Sequence, residues 1–163
     1  MRRLATTLAV TLAVCVFAFT TVRADHGNPF NGPHFDARLT GDQEVPAVDT
    51  RTHGRARVRF NRDCTRAQVR VRLQNAERVT QAHLHCAPRG ENGPVVAFIA
   101  GFHDAGWDVN GDFVTVILTD ANVVNDACGP DLRGLARAMK DGDVYLNVHT
   151  VGTPSGEVRG QFH

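Results

Sequence analysis

The chain has 163 residues, and its 18 lysines and arginines nearly balance 17 aspartates and glutamates. This balance excludes the strong basic excess that characterises a general nucleic-acid-binding protein. The length is sufficient for one domain with a sizeable hydrophobic core.

Residues 1–24 have the pattern of a secretory signal peptide. Arg2 and Arg3 precede an apolar run that extends from Leu4 to Val22, and cleavage is expected after Ala24. A membrane anchor is the alternative interpretation, because the run approaches the length that spans a bilayer. We expect a mature chain that is secreted, periplasmic or extracellular, does not span a membrane after signal removal, and binds no nucleic acid.

Three cysteines remain in the predicted mature chain, namely Cys64, Cys86 and Cys128. An exported protein meets an oxidising compartment, so one disulfide and one free or intermolecular thiol are the simplest arrangement. We favour the pair Cys86–Cys128, because it would join the HLHC segment to the ACGP loop. Spacing alone leaves the other pairings open.

Residues 25–34 are rich in glycine, proline and asparagine and predict a flexible leader before a single domain over residues 35–163. The segments RARVRF and QVRVRL then alternate arginines with apolar residues, and a short polar connection between them predicts an antiparallel hairpin. The arginines of these segments are spaced by two residues, which favours a solvated face over an anion site.

Three further strands are predicted in VTQAHLHC, PVVAFIA and DFVTVILT. The last two are almost continuously apolar, which is typical of central strands buried on both faces. Asn110–Gly111 predicts a hairpin turn between Trp107 and Phe113.

The segment PDLRGLARAMKDG breaks the alternation and predicts one short amphipathic helix near residues 131–141. Asp131 is its expected N-cap, and Gly142 follows its end. The period of two returns in DVYLNVHT and GEVRGQFH. We therefore predict an all-β fold, an antiparallel β-sandwich with one helix.

Candidate metal ligands come from two separated strands. His83 and His85 share one strand face, and His149 shares a face with Tyr145 and Asn147 of the later strand. If the strands meet, three neutral imidazoles converge, and this donor set suits copper or zinc. The alternative is a buried polar network in which these histidines, Asn147 and Glu157 satisfy one another.

Two further polar side chains, His103 and Glu44, are weaker candidates for a functional role. His103 is a less favoured fourth ligand, because it lies in an expected loop. Glu44 precedes a rigid Val–Pro step, and we expect its carboxylate to order that loop rather than to act in catalysis.

The segments LTGDQEVPAV, VTQAHLHCAPRGENGPVVAFI and DGDVYLNVHTVGTPSGEVRGQ, in this order, resemble the chordin-type (CHRD) domain family from about residue 35 to residue 163. Ala47 departs from the family pattern, which often has a second proline there. The resemblance implies a secreted bacterial-type member with an immunoglobulin-like sandwich. Animal chordin binds growth factors, so the resemblance also implies a protein partner.

The H-x-H and late V-H motifs are also similar to those of copper/zinc superoxide dismutase. That similarity matches His83, His85 and His149 to copper ligands, while His103 and Asp104 are only loose stand-ins for the remaining ligands. Arg159 is the candidate for an anion-attracting arginine. The incomplete ligand set argues against a full dismutase and leaves room for one metal ion.

Three hypotheses follow. The first is an exported, non-catalytic binding or structural module that holds one copper or zinc ion, or no cofactor, with Asn147, Glu157 and Arg159 around the ligands. The second is a copper-dependent redox enzyme of the dismutase type. The third is an extracellular protein-interaction domain, which rests on analogy with chordin.

Overall fold

A computed structural model describes residues 27–163, so the predicted signal peptide and the first two leader residues lie outside the described residues. The elements in chain order are β1 (His34–Thr40), β2 (His53–Phe60), β3 (Arg66–Cys86), β4 (Val95–Ala100), β5 (Trp107–Thr119), α1 (Leu132–Asp141), β6 (Val144–Thr150) and β7 (Val158–Gln161). The predicted all-β class with one short helix is confirmed. No helix among residues 27–163 has the length and hydropathy needed to cross a membrane.

The later part of the expected leader is packed against the sheet. The Gly32 amide donates to the Phe60 carbonyl at 2.8 Å, and the Phe60 amide donates to the Pro33 carbonyl at 2.9 Å. Phe30 is 8% exposed. Composition predicted a flexible segment here, but one aromatic ring and these backbone hydrogen bonds attach it to the end of β2.

The long strand β3 organises the fold. Its first part pairs antiparallel with β2, which confirms the predicted hairpin, and also with β5. Its second part pairs with β6 and β4. Asn75 and Arg78, between the two parts, have positive φ values of 54° and 51°. The strands predicted in QVRVRL and VTQAHLHC are therefore one irregular strand that changes partners.

The predicted central position of β4 and β5 is wrong. Each of these strands pairs with β3 alone, so each has an open edge. Phe98 of β4 is 52% exposed and Ile117 of β5 is 38% exposed. Apolar composition alone does not distinguish such edge strands from central ones.

The predicted turn at Asn110–Gly111 is also wrong, because both residues lie inside β5. Gly111 pairs with Leu73 of β3 and has a φ of 151°, and the register shifts on both sides of this pair. The glycine therefore belongs to a strand irregularity, which is another common use of glycine in sheets.

The strands close into a barrel-like sandwich. Hydrogen-bonded neighbours run in the order β2-β1-β7-β6-β3, and β3 returns to β2. All seven residues of β6 are buried between β3 and β7. The apolar core includes Leu39, Val58, Phe60, Val69, Leu73, Leu84, Leu146, Val148 and Val158.

Helix α1 packs the apolar face predicted from its spacing. Its buried residues include Leu132, Leu135 and Met139. The Asp131 side chain accepts a hydrogen bond from the Gly134 amide at 2.7 Å, and Gly142 ends the helix with a φ of 83°. Both predicted caps are confirmed.

The favoured disulfide is confirmed. Cys86 and Cys128 are bonded, with their Cα atoms 5.6 Å apart and a separation of 42 in sequence. The bond joins the end of β3 to the segment that precedes α1. Cys64 is a free, half-buried cysteine.

Candidate metal centre

The register between β3 and β6 brings the three predicted ligands together. His83 lies opposite Asn147, and Gln81 lies opposite His149, so the imidazoles project from one face of adjacent strands. One ligand nitrogen from each of His83, His85 and His149 lies within 4.8 Å of the others. His83 and His149 are buried, and His85 is half-buried. The alternation of side chains in the two strands correctly predicted this convergence.

Backbone carbonyls orient two of the three rings. Nδ1 of His85 lies 2.9 Å from the Gly93 carbonyl oxygen, and Nδ1 of His149 lies 2.9 Å from the Pro154 carbonyl oxygen. Because a carbonyl oxygen only accepts, each Nδ1 carries the hydrogen in the neutral ring, and each Nε2 keeps its lone pair. The loops that follow β3 and β6 therefore hold these two rings in one tautomer.

The third imidazole faces its neighbour. Nδ1 of His83 lies 3.2 Å from Nε2 of His149, so the His83 Nδ1–H donates to His149. Nε2 of His83 and Nε2 of His85 are buried and have no hydrogen-bond partner among the described residues. The cluster therefore has fewer hydrogen bonds than its buried nitrogens can form.

Burial keeps the three imidazoles neutral. Burial, together with the smaller effects of the neighbouring His149 and His85, lowers the pKa of His83 to about 4. Burial is also the largest cause of the lowered pKa values of His85 and His149, against which hydrogen bonds to the Gly93 and Pro154 carbonyls act. Neutral rings retain the lone pairs that a metal ion requires.

Aromatic side chains flank the histidines. Tyr145 stacks on His85 with ring centroids 4.8 Å apart, and Phe98 meets His83 edge to face at 4.9 Å. These contacts restrict the rotation of both imidazoles and reduce their contact with water.

The side chains predicted to surround the ligands make other contacts. Asn147 Nδ2 donates to Glu44 Oε2 at 3.2 Å, and Glu157 Oε1 accepts from the Thr50 hydroxyl at 2.6 Å. The expected tautomer-fixing role of Asn147 and Glu157 falls instead to the carbonyls of Gly93 and Pro154. Sequence carries little signal for this, because any loop residue has a carbonyl.

Arg159 is 1% exposed and lies opposite Asn147 in the pairing of β7 with β6. Its guanidinium carbon is 3.4 Å from the centroid of the Tyr145 ring. The same Tyr145 ring also stacks on His85. The guanidinium donates to the Pro88 carbonyl and to Gln161 Oε1, both at 3.3 Å. Arg159 therefore supports the aromatic layer beside the histidines.

Glu44 makes a buried polar contact with Asn147, whereas the sequence predicted only that its carboxylate orders the surrounding loop. It is 7% exposed, and burial raises its pKa to about 7, although Arg159 and the hydrogen bond from Asn147 act in the opposite direction. Glu44 Oε1 and Asn147 Oδ1 have no hydrogen-bond partner among the described residues. A Cβ on Gly156 would lie 2.6 Å from the Asn147 amide atoms and 2.9 Å from Glu44 Oε1.

His103 lies apart from the histidine cluster. Its ring stacks on Trp107 with centroids 4.2 Å apart, and its amide donates to the Thr80 carbonyl at 2.8 Å. Within residues 27–163, the group of side chains able to share one ion consists of the three other histidines. The less favoured fourth ligand therefore has a packing role in the structure.

Comparison with curated proteins and with solved structures found no match. A model of the CHRD domain matches residues 35–162. The matched range includes every strand after the first residue of β1, the helix, the disulfide and the three histidines. This range supports a binding or structural module, and the chain belongs to the CHRD domain family.

Proposed function

We propose that the chain is an exported, non-catalytic binding module that holds one copper or zinc ion at His83, His85 and His149. The observation that carries the proposal is the convergence of three neutral imidazoles within 4.8 Å, on two adjacent strands, with unpartnered nitrogens among them. Imidazole nitrogen is a good ligand for both metals.

The donor set fits one ion. Zinc–imidazole bonds of about 2.0–2.1 Å in a tetrahedron separate the nitrogens by about 3.4 Å. His83 Nδ1 and His149 Nε2 already lie 3.2 Å apart. His83 would bind through Nδ1, with the hydrogen of its neutral ring moved to Nε2. His85 and His149 would bind through Nε2, because the carbonyls of Gly93 and Pro154 occupy their Nδ1 atoms. Such outer hydrogen bonds are typical of metal-bound histidines.

A purely structural histidine network accounts less well for the contacts. The three rings share one hydrogen bond, and two Nε2 atoms remain buried without a partner. Each such atom costs about 1–3 kcal/mol when it is left unpaired. A bound ion would take the lone pair of His85 Nε2, which the histidine network leaves without a partner.

The dismutase alternative gains no support from Arg159. Its guanidinium is buried and is engaged by the Tyr145 ring and the Pro88 carbonyl, so it does not present a free positive charge to an incoming anion. We therefore favour binding over redox turnover. Export is supported by the apolar run from Leu4 to Val22 and by the disulfide, which is stable in oxidising compartments.

The decisive experiment is metal analysis by mass spectrometry on mature protein purified without an affinity tag, followed by calorimetric titration with copper and zinc. We expect one ion per chain in the wild type and none in the double variant His83→Ala/His85→Ala. Protein that contains no metal and binds neither added ion would overturn the proposal.

The matched control is His53→Ala. His53 is exposed, and its Nδ1 contacts the Arg51 carbonyl at 3.0 Å, so it resembles the ligands in chemistry and not in location. His103→Ala tests the less favoured ligand. Both variants should keep the ion, and circular dichroism of every variant separates loss of metal from loss of fold.

A further inference from the structure

A strongly charged surface includes the first part of β3, whereas His83 and His85 lie in its second part. The outward residues of β1, β2 and the first part of β3 include seven arginines. The Arg66 guanidinium lies 6.0 Å from the centroid of the Phe30 ring. The other six form what we call the arginine face: Arg38, Arg55, Arg57, Arg59, Arg70 and Arg72. Two acidic residues, Asp36 and Asp112, contact this face. The face is strongly positive although the whole chain carries a formal charge of only +1.

The strand register places arginine opposite arginine. Arg38 lies opposite Arg55, and Arg55 lies opposite Arg72, so three guanidinium groups occupy one row across three strands. In the next row, Arg57 lies opposite Arg70. Like charges directly opposite each other on adjacent strands are destabilising. A face that served only for solubility would need no such rows, so the register favours an anion site over the solvated face that spacing alone indicated.

Half of the arginine face has no acidic partner. Arg57 contacts Asp36 at 2.7 Å, and Arg70 and Arg72 share Asp112 at 2.9 and 3.1 Å. Within residues 27–163, Arg38, Arg55 and Arg59 form no ion pair. A surface depression of about 630 Å³ lies between Arg38, Arg55 and Arg72.

From this geometry we infer that the arginine face binds an extended anionic polysaccharide that carries carboxylate or sulfate groups. Successive outward residues of a strand are about 6.6–6.8 Å apart and adjacent strands about 4.8 Å apart, so the rows match a chain with repeated charges rather than a single ion. Guanidinium groups bind planar oxyanions through paired hydrogen bonds.

Other polyanions fit the surface less well. The outward positions of β1, β2 and the first part of β3 carry no phenyl, phenol or indole ring, and their aromatic groups are the small imidazoles of His34 and His53. The surface therefore lacks the large rings on which the bases of single-stranded nucleic acid stack best. They also carry no apolar side chain that would enter a membrane interface. The exposed Phe98 and Phe102 belong to β4 and the loop after it.

The test is calorimetric titration of the mature protein with polygalacturonate and dextran sulfate, with neutral dextran as the uncharged comparison. Substitution of the three unpaired arginines, Arg38→Ser/Arg55→Ser/Arg59→Ser, should weaken binding at least tenfold, because it removes guanidinium groups that are free to form charge-assisted hydrogen bonds with the polysaccharide. The control Arg62→Ser/Arg137→Ser/Lys140→Ser removes the same charge from other exposed sites and should retain the wild-type affinity.

Thermal unfolding separates binding from folding. Because the substitutions at Arg38 and Arg55 relieve like-charge contacts, and Arg59 faces His34 and Gln68, the melting temperature of the variant should equal or exceed that of the wild type. Equal weakening in both triple variants, no binding to either charged polysaccharide, or tighter binding to single-stranded DNA or anionic phospholipid vesicles would overturn the inference. The result does not depend on the metal proposal, because no ligand histidine is changed.

Discussion

At the scale of single residues, the histidine site depends on atoms that the side-chain pattern does not reveal. The period of two in β3 and β6 predicts that His83, His85 and His149 share a face, and the register places them together. The carbonyls of Gly93 and Pro154 could not be predicted, because their positions follow from loop conformation. The contact between Glu44 and Asn147 joins residues 103 positions apart and has no local signal.

Gly156 provides a sharp test of the packing beside this contact. Its φ is 127°, and a Cβ would lie 2.6 Å from the Asn147 amide. Gly156→Ala should therefore lower the free energy of unfolding by about 2–4 kcal/mol, from backbone strain and overpacking together. Gly152→Ala is the control, because its Cβ would meet only the Thr150 hydroxyl at 3.9 Å. Urea denaturation of both variants measures the difference, and equal stability of the two would contradict the prediction.

Glu44 predicts a pH dependence of stability. Its pKa is raised from 4.5 to about 7, so the folded state binds this proton more tightly than the unfolded state. The stabilising contribution is complete below about pH 4.5 and is lost as the pH rises through about 7. Relative to Glu44→Gln, the metal-free wild type should lose at most about 3 kcal/mol between pH 4.5 and pH 8.

Urea unfolding of both proteins at the two pH values measures this difference. Glu91→Gln serves as the control, because Glu91 is exposed and its neutralisation should leave the pH profile of the wild type unchanged. A Glu44→Gln profile parallel to that of the wild type would exclude a buried proton at this position.

At the scale of elements, local patterns predicted the β2–β3 hairpin and both caps of α1 correctly. These local patterns did not predict the structure where strand pairing depends on residues that are distant in sequence. The two parts of β3 look like separate strands because residues 75–78 interrupt the alternation, yet pairing with other strands on both sides keeps the chain extended. Continuous apolar character misplaced β4 and β5, because strand order depends on topology that composition does not encode.

The disulfide should make a measurable contribution to the free energy of unfolding, because it links two elements. It closes a loop of 42 positions between Cys86 and Cys128. The chain-entropy relation gives about 4 kcal/mol for a loop of this length. Cys86→Ser/Cys128→Ser should lose approximately that free energy of unfolding in guanidinium denaturation, while Cys64→Ser should lose less than about 1 kcal/mol because it breaks no covalent link. Comparable losses in the two variants would show that the bond adds little.

At the scale of the whole molecule, the closed circuit of strands predicts uneven hydrogen exchange. β6 is buried along its whole length between β3 and β7, whereas β4 and β5 each pair with β3 alone. Amides of β6 should therefore exchange only through global unfolding, and those near the open edges of β4 and β5 through local opening with lower free energy. Hydrogen exchange followed by NMR measures both, and equal protection of β5 and β6 would contradict the expectation.

The position of β7 in the circuit has a consequence for biosynthesis. β7 lies between β1 and β6 in space but follows every other strand in chain order. A ribosome therefore releases β1 more than a hundred residues before its neighbour exists, and an emerging chain exposes unpaired strand edges throughout that interval. The circuit of strands cannot close before residue 161 is synthesised, and a late-closing topology of this kind folds slowly. Slow closure lengthens the time during which these edges are open to pairing with another chain.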